Sequence, residues 1–182
     1  VYNNLGQYQR AIDFYQQWLE IAYEIGDRSG EATSLMNLGT VYNNLGQYQR
    51  AIDYLQQSLA IQQEIGDRNG EASSLWNLSN SYQRQGKIRK VRECRIAAVR
   101  IWQSLNLPID AVPFPEIMKR MYRTLEQQGK DWAESFIQAQ EQLGWLMDII
   151  AGVRFLIFLP TRLFQQFKTF SFSGLQSSLP RD

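Results

Sequence analysis

The sequence predicts an all-α fold in which antiparallel helix hairpins stack one on the next. Three observations carry that prediction. The thirteen residues VYNNLGQYQRAID that open the chain return unchanged as Val41 to Asp53. Sliding the sequence against itself by 40 residues matches roughly three quarters of the first block to the second, a self-similarity on the scale of solenoid units. Within each unit, apolar residues recur at steps of three and four, the spacing of one helix face.

Composition narrows the chemistry before any element is placed. The chain has 182 residues, 44% of them hydrophobic and 20% charged, ordinary values for a globular fold with a sizeable core. There is no His and a single Cys, Cys94. That excludes His-based triads, Cys/His zinc sites and a disulfide framework together. With no His to activate it, Cys94 reads as buried filler or a silent thiol. Cysteine poverty fits a reducing compartment, so a cytoplasmic location is expected. No basic stretch followed by an apolar run stands at the N-terminus, and the repeat comparison suggests that the chain begins inside a helix of a longer parent. No cofactor or metal is expected, and no convergent set of acids and bases suggests an enzyme.

The elements follow in order. In EATSLMNLGTVYNNLG, Leu35, Leu38, Tyr42 and Leu45 mark one helix face. In QYQRAIDYLQQSLAIQQEIGD, Tyr48, Ala51, Ile52, Leu55, Leu59 and Ile61 mark a second. Gly46 separates the two helices and Gly66 ends the second, each supplying the permissive backbone that a helix C-terminus wants. Asp67 then suits the N-cap of the next helix. Gly39 lacks a side chain and lets the neighbouring helix approach closely, as does Ala51 across the turn. Neither helix can bury its stripe alone, so the units must stack. Asp27, Arg28 and Glu31 recur as Asp67, Arg68 and Glu71 at the joints, where capping and helix-dipole roles are expected of them.

The third unit decays. Ser79 stands where the second unit has Gly39, and Arg95 where earlier units have Tyr15 and Leu55. Ile88, Val91, Ala98, Val99 and Ile101 keep the stripe. A charge at 95 is tolerable only if no full repeat stacks beyond, so the array is expected to end here.

With those residues in place, NLGTVYNNLGQYQRAIDYLQQSLAI resembles a tetratricopeptide repeat. Leu38-Gly39, Tyr42, Gly46, Tyr48, Ala51 and Leu59 fall where that motif expects its signature residues, and QEIGDRNGEA lengthens the usual unit of about 34 residues to about 40. The unit is similar to the long repeats of spindle-orientation adaptors, kinesin light chains and bacterial multi-repeat signalling proteins. The resemblance covers about residues 1–105 and implies a right-handed superhelix whose first helices line a concave face. The expected organisation is a repeat array over 1–107 (a truncated first unit, one full unit and a degenerate terminal unit), a proline-rich linker over 108–115, capping helices over 116–142, a hydrophobic and amphipathic segment over 143–170, and a disordered tail over 171–182.

Where the motif aligns, the concave positions carry Asn3 and Asn4, then Thr33, Met36, Asn37, Thr40, Asn43 and Asn44. The third unit supplies Ser73, Trp76, Asn77, Asn80, Gln83 and Arg84. Asparagine competes for backbone hydrogen bonds inside a helix and is an odd choice there. A row of amides can instead offer donors and acceptors to the main chain of an extended peptide. The resemblance implies the same role for the asparagines, and Met36 and Trp76 would add apolar anchors. The bland reading is that these are solvated polar positions copied along with the unit.

Charge divides the chain. Residues 1–80 hold 4 basic and 9 acidic side chains, and residues 81–182 hold 15 and 9. Seven basic residues fall between Arg84 and Arg100, with Glu93 the one acid. They scatter around the helix with no aromatic before Trp102, so nucleic acid is not an expected partner.

Beyond the linker, Ile117, Met118, Met121, Tyr122 and Leu125 form an amphipathic stripe, and Asp131 is placed to cap a run marked by Trp132, Phe136 and Ile137. LGWLMDIIAGVRFLIFLP is then dense in apolar residues, but Asp148 and Arg154 interrupt it and Pro160 stops it short of the roughly 20 residues of a spanning helix. Trp145, Ile149, Ile150, Phe155, Phe158, Arg162, Phe164, Phe167 and Lys168 suit a helix lying in a lipid interface with its basic side chains reaching the headgroups. Packing onto the repeats, or pairing in a homo-oligomer, competes with that reading. The function expected is a non-catalytic adaptor that binds a protein or peptide in the concave groove, with its C-terminal segment as a tether to a membrane surface. The alternative is a structural spacer or oligomerisation scaffold without a groove ligand.

Overall fold

The computed structural model describes residues 2–142; the side chains of residues 2–5 and of Met121 fall outside that description. The chain divides into two units, Val1–Gly144 and Trp145–Asp182, and the second lies beyond the described residues. The expectations for the segment 143–170 and the tail 171–182, including Trp145, Ile149, Ile150, Phe155, Phe158, Arg162, Phe164, Phe167 and Lys168, therefore fall outside it.

Among the described residues the regular structure is helical: α1 (Tyr2–Ile25), α2 (Arg28–Asn44), α3 (Tyr48–Ile65), α4 (Arg68–Arg84), α5 (Ile88–Ser104), a 3₁₀ turn (Ile109–Ala111) and α6 (Glu116–Gln127). A further helical stretch covers 132–142. Each helix packs on the one before it from α1 to α5, and α2 also touches α4. The hairpins α2–α3 and α4–α5 pack on one another as the units of a solenoid do, each burying the stripe its neighbour cannot.

The joints between units are built alike. Gly66 takes a left-handed φ of 72°, which glycine adopts without a Cβ penalty, and the Asp67 N–H donates to the Gln62 carbonyl at 2.9 Å. Asp67 is then the N-cap of α4, its carboxylate accepting from the Gly70 N–H at 2.9 Å. Asp27 and Gly30 repeat this at the start of α2. Arg28 pairs with Glu31 and Glu64, and Arg68 with Glu71, so the recurrent charged set fastens the joints. Its acids are more deeply placed than caps usually are: Glu31 and Glu71 are buried, and Glu71 also accepts from the Gln63 amide at 3.0 Å.

The core follows the predicted stripes. Leu38, Tyr42 and Ala51 pack with Ile12 of α1, while Ile52 and Leu55 of α3 pack with Leu78 and Tyr82 of α4 and Val91 of α5. Tyr42 and Tyr54 stack with ring centroids 5.3 Å apart. Ser58, fully buried, donates to the Ala32 carbonyl at 2.7 Å and shares a hydrogen bond with Ser74 at 3.2 Å, so a polar seam is satisfied between units. Val91, Ala98, Val99 and Ile101 are buried as predicted, but Ile88 is exposed, at the first turn of α5.

The proline-rich stretch 108–115 departs from the picture of a free linker. Ile109, Val112 and Phe114 are buried, and Phe114 meets Trp76, Trp102, Tyr122, Trp132 and Phe136. A 3₁₀ turn over Ile109–Ala111 between the extended Pro108 and Val112 turns Ile109, Val112 and Phe114 inward against residues of α4 and α5. Tyr122, Trp132, Phe136 and Ile137 complete that cluster, while Ile117 is exposed. Asp131 caps the stretch 132–142, accepting from the Ala133 and Glu134 N–H groups at 2.7 and 3.0 Å, and those bonds hold its carboxyl below the ordinary value.

Candidate functional site

The groove positions named from the sequence fall on one face each of α2 and α4. Met36, Asn37, Thr40, Asn43 and Asn44 lie along α2, and Trp76, Asn77, Asn80, Gln83 and Arg84 occupy the equivalent places, forty residues on, in α4. The two helices touch, and the Ser81 hydroxyl of α4 donates to the Asn43 Oδ1 of α2 at 3.2 Å. Asn3 and Asn4 lie in α1, with side chains outside the description.

The residues differ in what they still offer a ligand. Thr40 donates its hydroxyl to the Met36 carbonyl at 3.0 Å, and the Asn43 carbonyl is taken by Ser81. The Gln83 carbonyl accepts from Arg95 at 2.7 Å. By contrast, Asn37, Asn77 and Asn80 are half-buried, and among the described residues no hydrogen bond occupies their amides. Asn44 and Arg84 are exposed at the C-terminal ends of their helices. Half-burial fixes an amide's position while leaving its donors and acceptor to the solvent side, where an extended backbone can use them.

Trp76 is not the open anchor that the alignment suggested. It is buried, in tilted contact with Phe114 at 4.8 Å and with Trp102 and Phe136 at 5.9 and 6.1 Å between ring centroids. The segment after α5 folds over it, which periodicity within the repeats could not reveal. Met36, its equivalent in α2, remains half-buried, packed against the cluster of Ile52, Leu55, Leu78, Tyr82 and Val91.

Sequence reasoning also passed over Arg95 as a site residue. Its guanidinium lies 5.3 Å from the Trp76 ring centroid and donates to the Ser79 hydroxyl at 3.3 Å and to Gln83. Burial lowers its pKa from the ordinary arginine value. The signal was present in the sequence, since a charge had replaced an aromatic or leucine at an otherwise apolar position.

Cys94 is a poor nucleophile. Burial, and then the charge of Glu93, push its thiol up to about 11. No group of His, Cys, Asp and Glu among the described residues could hold a metal ion. Among those residues no helix is long and apolar enough to cross a membrane.

Paired helices of about seventeen residues, glycine-ended and stacked through a forty-residue unit, define a repeat scaffold of the helical-hairpin class. The tetratricopeptide repeat family model matches residues 1–64 and 30–104, and the chain belongs to that family. Such repeats are generally protein–protein interaction modules and are typically non-catalytic. No curated protein matches the chain. The chain is similar to the crystal structure of nearly identical TPR-like repeats from a Podosopora anserina protein described as a kinesin light chain. The identity is 23%, the match covers 83% of this chain and 71% of that one, and the TM-score is 0.53, a likeness of fold.

Proposed function

We propose that the chain is a non-catalytic adaptor whose first-helix face binds an extended protein segment through its amide ladder. The observation that carries this reading is the pair Asn37 and Asn77. They occupy the same place in successive units, both are half-buried, and neither amide is used internally among the described residues. A spacer would have no use for two positioned, unspent amides on a shared face.

A fluorescently labelled full chain, applied to an array of random decapeptides with blocked ends, tests it. The native chain is expected to bind a reproducible subset at micromolar concentration. Asn37→Ala/Asn77→Ala is expected to weaken that subset at least tenfold while its melting temperature stays close to the native value. An array that stays dark overturns the reading in favour of a spacer, and a double variant that binds as the native chain does removes the amide ladder from it.

A further inference from the structure

The terminal repeat differs from the preceding one at two positions that touch. In the second unit, Gly39 faces Leu55 so closely that a Cβ on the glycine would lie 2.5 Å from Leu55 Cγ. In the third unit the same two places hold Ser79 and Arg95, and the apolar lock becomes a hydrogen bond from the Arg95 Nε–H to the Ser79 hydroxyl. A fully apolar packing site has thus been rebuilt around a cation.

That cation has capacity to spare. Guanidinium carries five N–H donors, and Arg95 spends two, on Ser79 and Gln83. Among the described residues no carboxylate pairs with it, whereas Arg28, Arg68, Arg89, Arg100 and Arg123 all have one. Its guanidinium lies over the Trp76 ring at cation–π distance, two hydrogen bonds hold it there, and it is half withdrawn from water.

Arg95 also forms part of the wall of a cleft of about 540 Å³ between the repeats and the segment that folds over them. Asn80, Gln83 and Gln140 supply amides to its lining, and Pro113, Phe114 and Met118 supply apolar surface. The lining holds no acid, so its net character is positive and half apolar.

We propose that this cleft takes an aspartate or glutamate side chain of a bound peptide, paired with the Arg95 guanidinium, with an adjacent apolar side chain of the same peptide on Pro113 and Met118. A planar, positioned guanidinium suits a carboxylate bidentately, a geometry that a lysine would not reproduce. The proposal rests on the peptide-binding reading and adds a preference to it. It places the selective contact on the second helix of the terminal unit and on the overlying segment, outside the amide ladder.

The blocked-end decapeptide array, read with the full chain, tests it, because every carboxylate on such an array belongs to a side chain. The set bound by the native chain is expected to be enriched in Asp or Glu within two positions of an apolar residue. Arg95→Gln should lose that set at least tenfold, and Arg95→Lys should recover only part of it. Gln140→Glu, which leaves the Arg95 packing untouched, should also weaken it. A bound set with no acidic enrichment overturns the proposal, as does an acidic set that Arg95→Gln and Gln140→Glu bind like the native chain. The two readings separate: loss on Asn37→Ala/Asn77→Ala without any acidic preference leaves the ladder and removes the cleft. An acidic set lost on Arg95→Gln but kept by the double variant does the reverse. An array dark for every form removes both.

Discussion

Gly39 of α2 and Leu55 of α3 meet with no room for another carbon: a Cβ at Gly39 would stand 2.5 Å from Leu55 Cγ and 3.1 Å from the Ala51 carbonyl oxygen. The backbones approach because the glycine is bare, and the fully buried leucine fills the space that results. Gly39→Ala is expected to cost about 1–3 kcal/mol through overpacking, and Leu55→Ala about 2–5 kcal/mol through the cavity it leaves. Since the two changes relieve one another, the double variant should cost less than their sum, by about 0.5 kcal/mol or more. Urea denaturation of the four forms measures the cycle, and strict additivity would refute the lock.

Phe114 carries the packing of the segment after α5 onto the repeats. It is 5% exposed and touches five other aromatic rings. Phe114→Ala should destabilise the fold by about 3–5 kcal/mol and expose Trp76 to solvent. Near-ultraviolet circular dichroism and a red-shifted tryptophan emission would report it.

Asp67 holds the start of α4 through a side-chain bond to the Gly70 N–H. Asp67→Ala is expected to cost about 1 kcal/mol, and Asp67→Asn, which keeps an acceptor, less than half of that. Chemical denaturation of both variants separates capping from charge, because a purely electrostatic role would make the two equal.

Cys94 supplies a pH signature. Its folded value, about 11, lies above the ordinary 9.0, so the thiol form is favoured by folding. The stability this contributes is fully present below about pH 9 and is lost as pH rises through about 11. A thiol-reactive chromophore should therefore label Cys94 slowly at pH 8 in the native protein and fast in urea. Equal rates in both states would contradict the burial.

The segment 143–170 enters by composition alone, so its expected role as a tether is tested separately. With vesicles of neutral and of anionic lipid, the full chain should float and a truncation ending at Gln142 should not, with the anionic vesicles favoured. Absence of flotation by the full chain would remove that tether.

Much of this architecture was legible because its rules are local. The glycine-ended helices, the Asp67 cap and the stripes through Leu38, Leu55 and Val99 all follow from spacing and backbone chemistry, and each stands where the pattern put it. What escaped depends on contacts between distant parts of the chain. YNNLGQYQRAID, from Tyr2, is one continuous helix in α1, through Gly6, yet its second copy turns at Gly46 with φ of 76°. The second copy lies in a hairpin that packs on α1, where Val41 and Tyr42 share a core cluster with Ile12. Identical letters thus took different shapes because their neighbours differed. The same limit hid the covering of Trp76, whose partners Phe114 and Phe136 lie 38 and 60 positions away.

The joints have a last consequence. Gly26 and Gly66 share φ values of 71° and 72°, and Asp27 and Asp67 share φ and ψ of −79° and 85° against −74° and 84°. Excising residues 27–66 would splice Gly26 to Asp67 with the glycine φ and the aspartate φ and ψ at the seam preserved. Length in this protein is therefore a modular quantity, open to deletion or duplication in whole units of forty residues, with no new turn to invent at the splice.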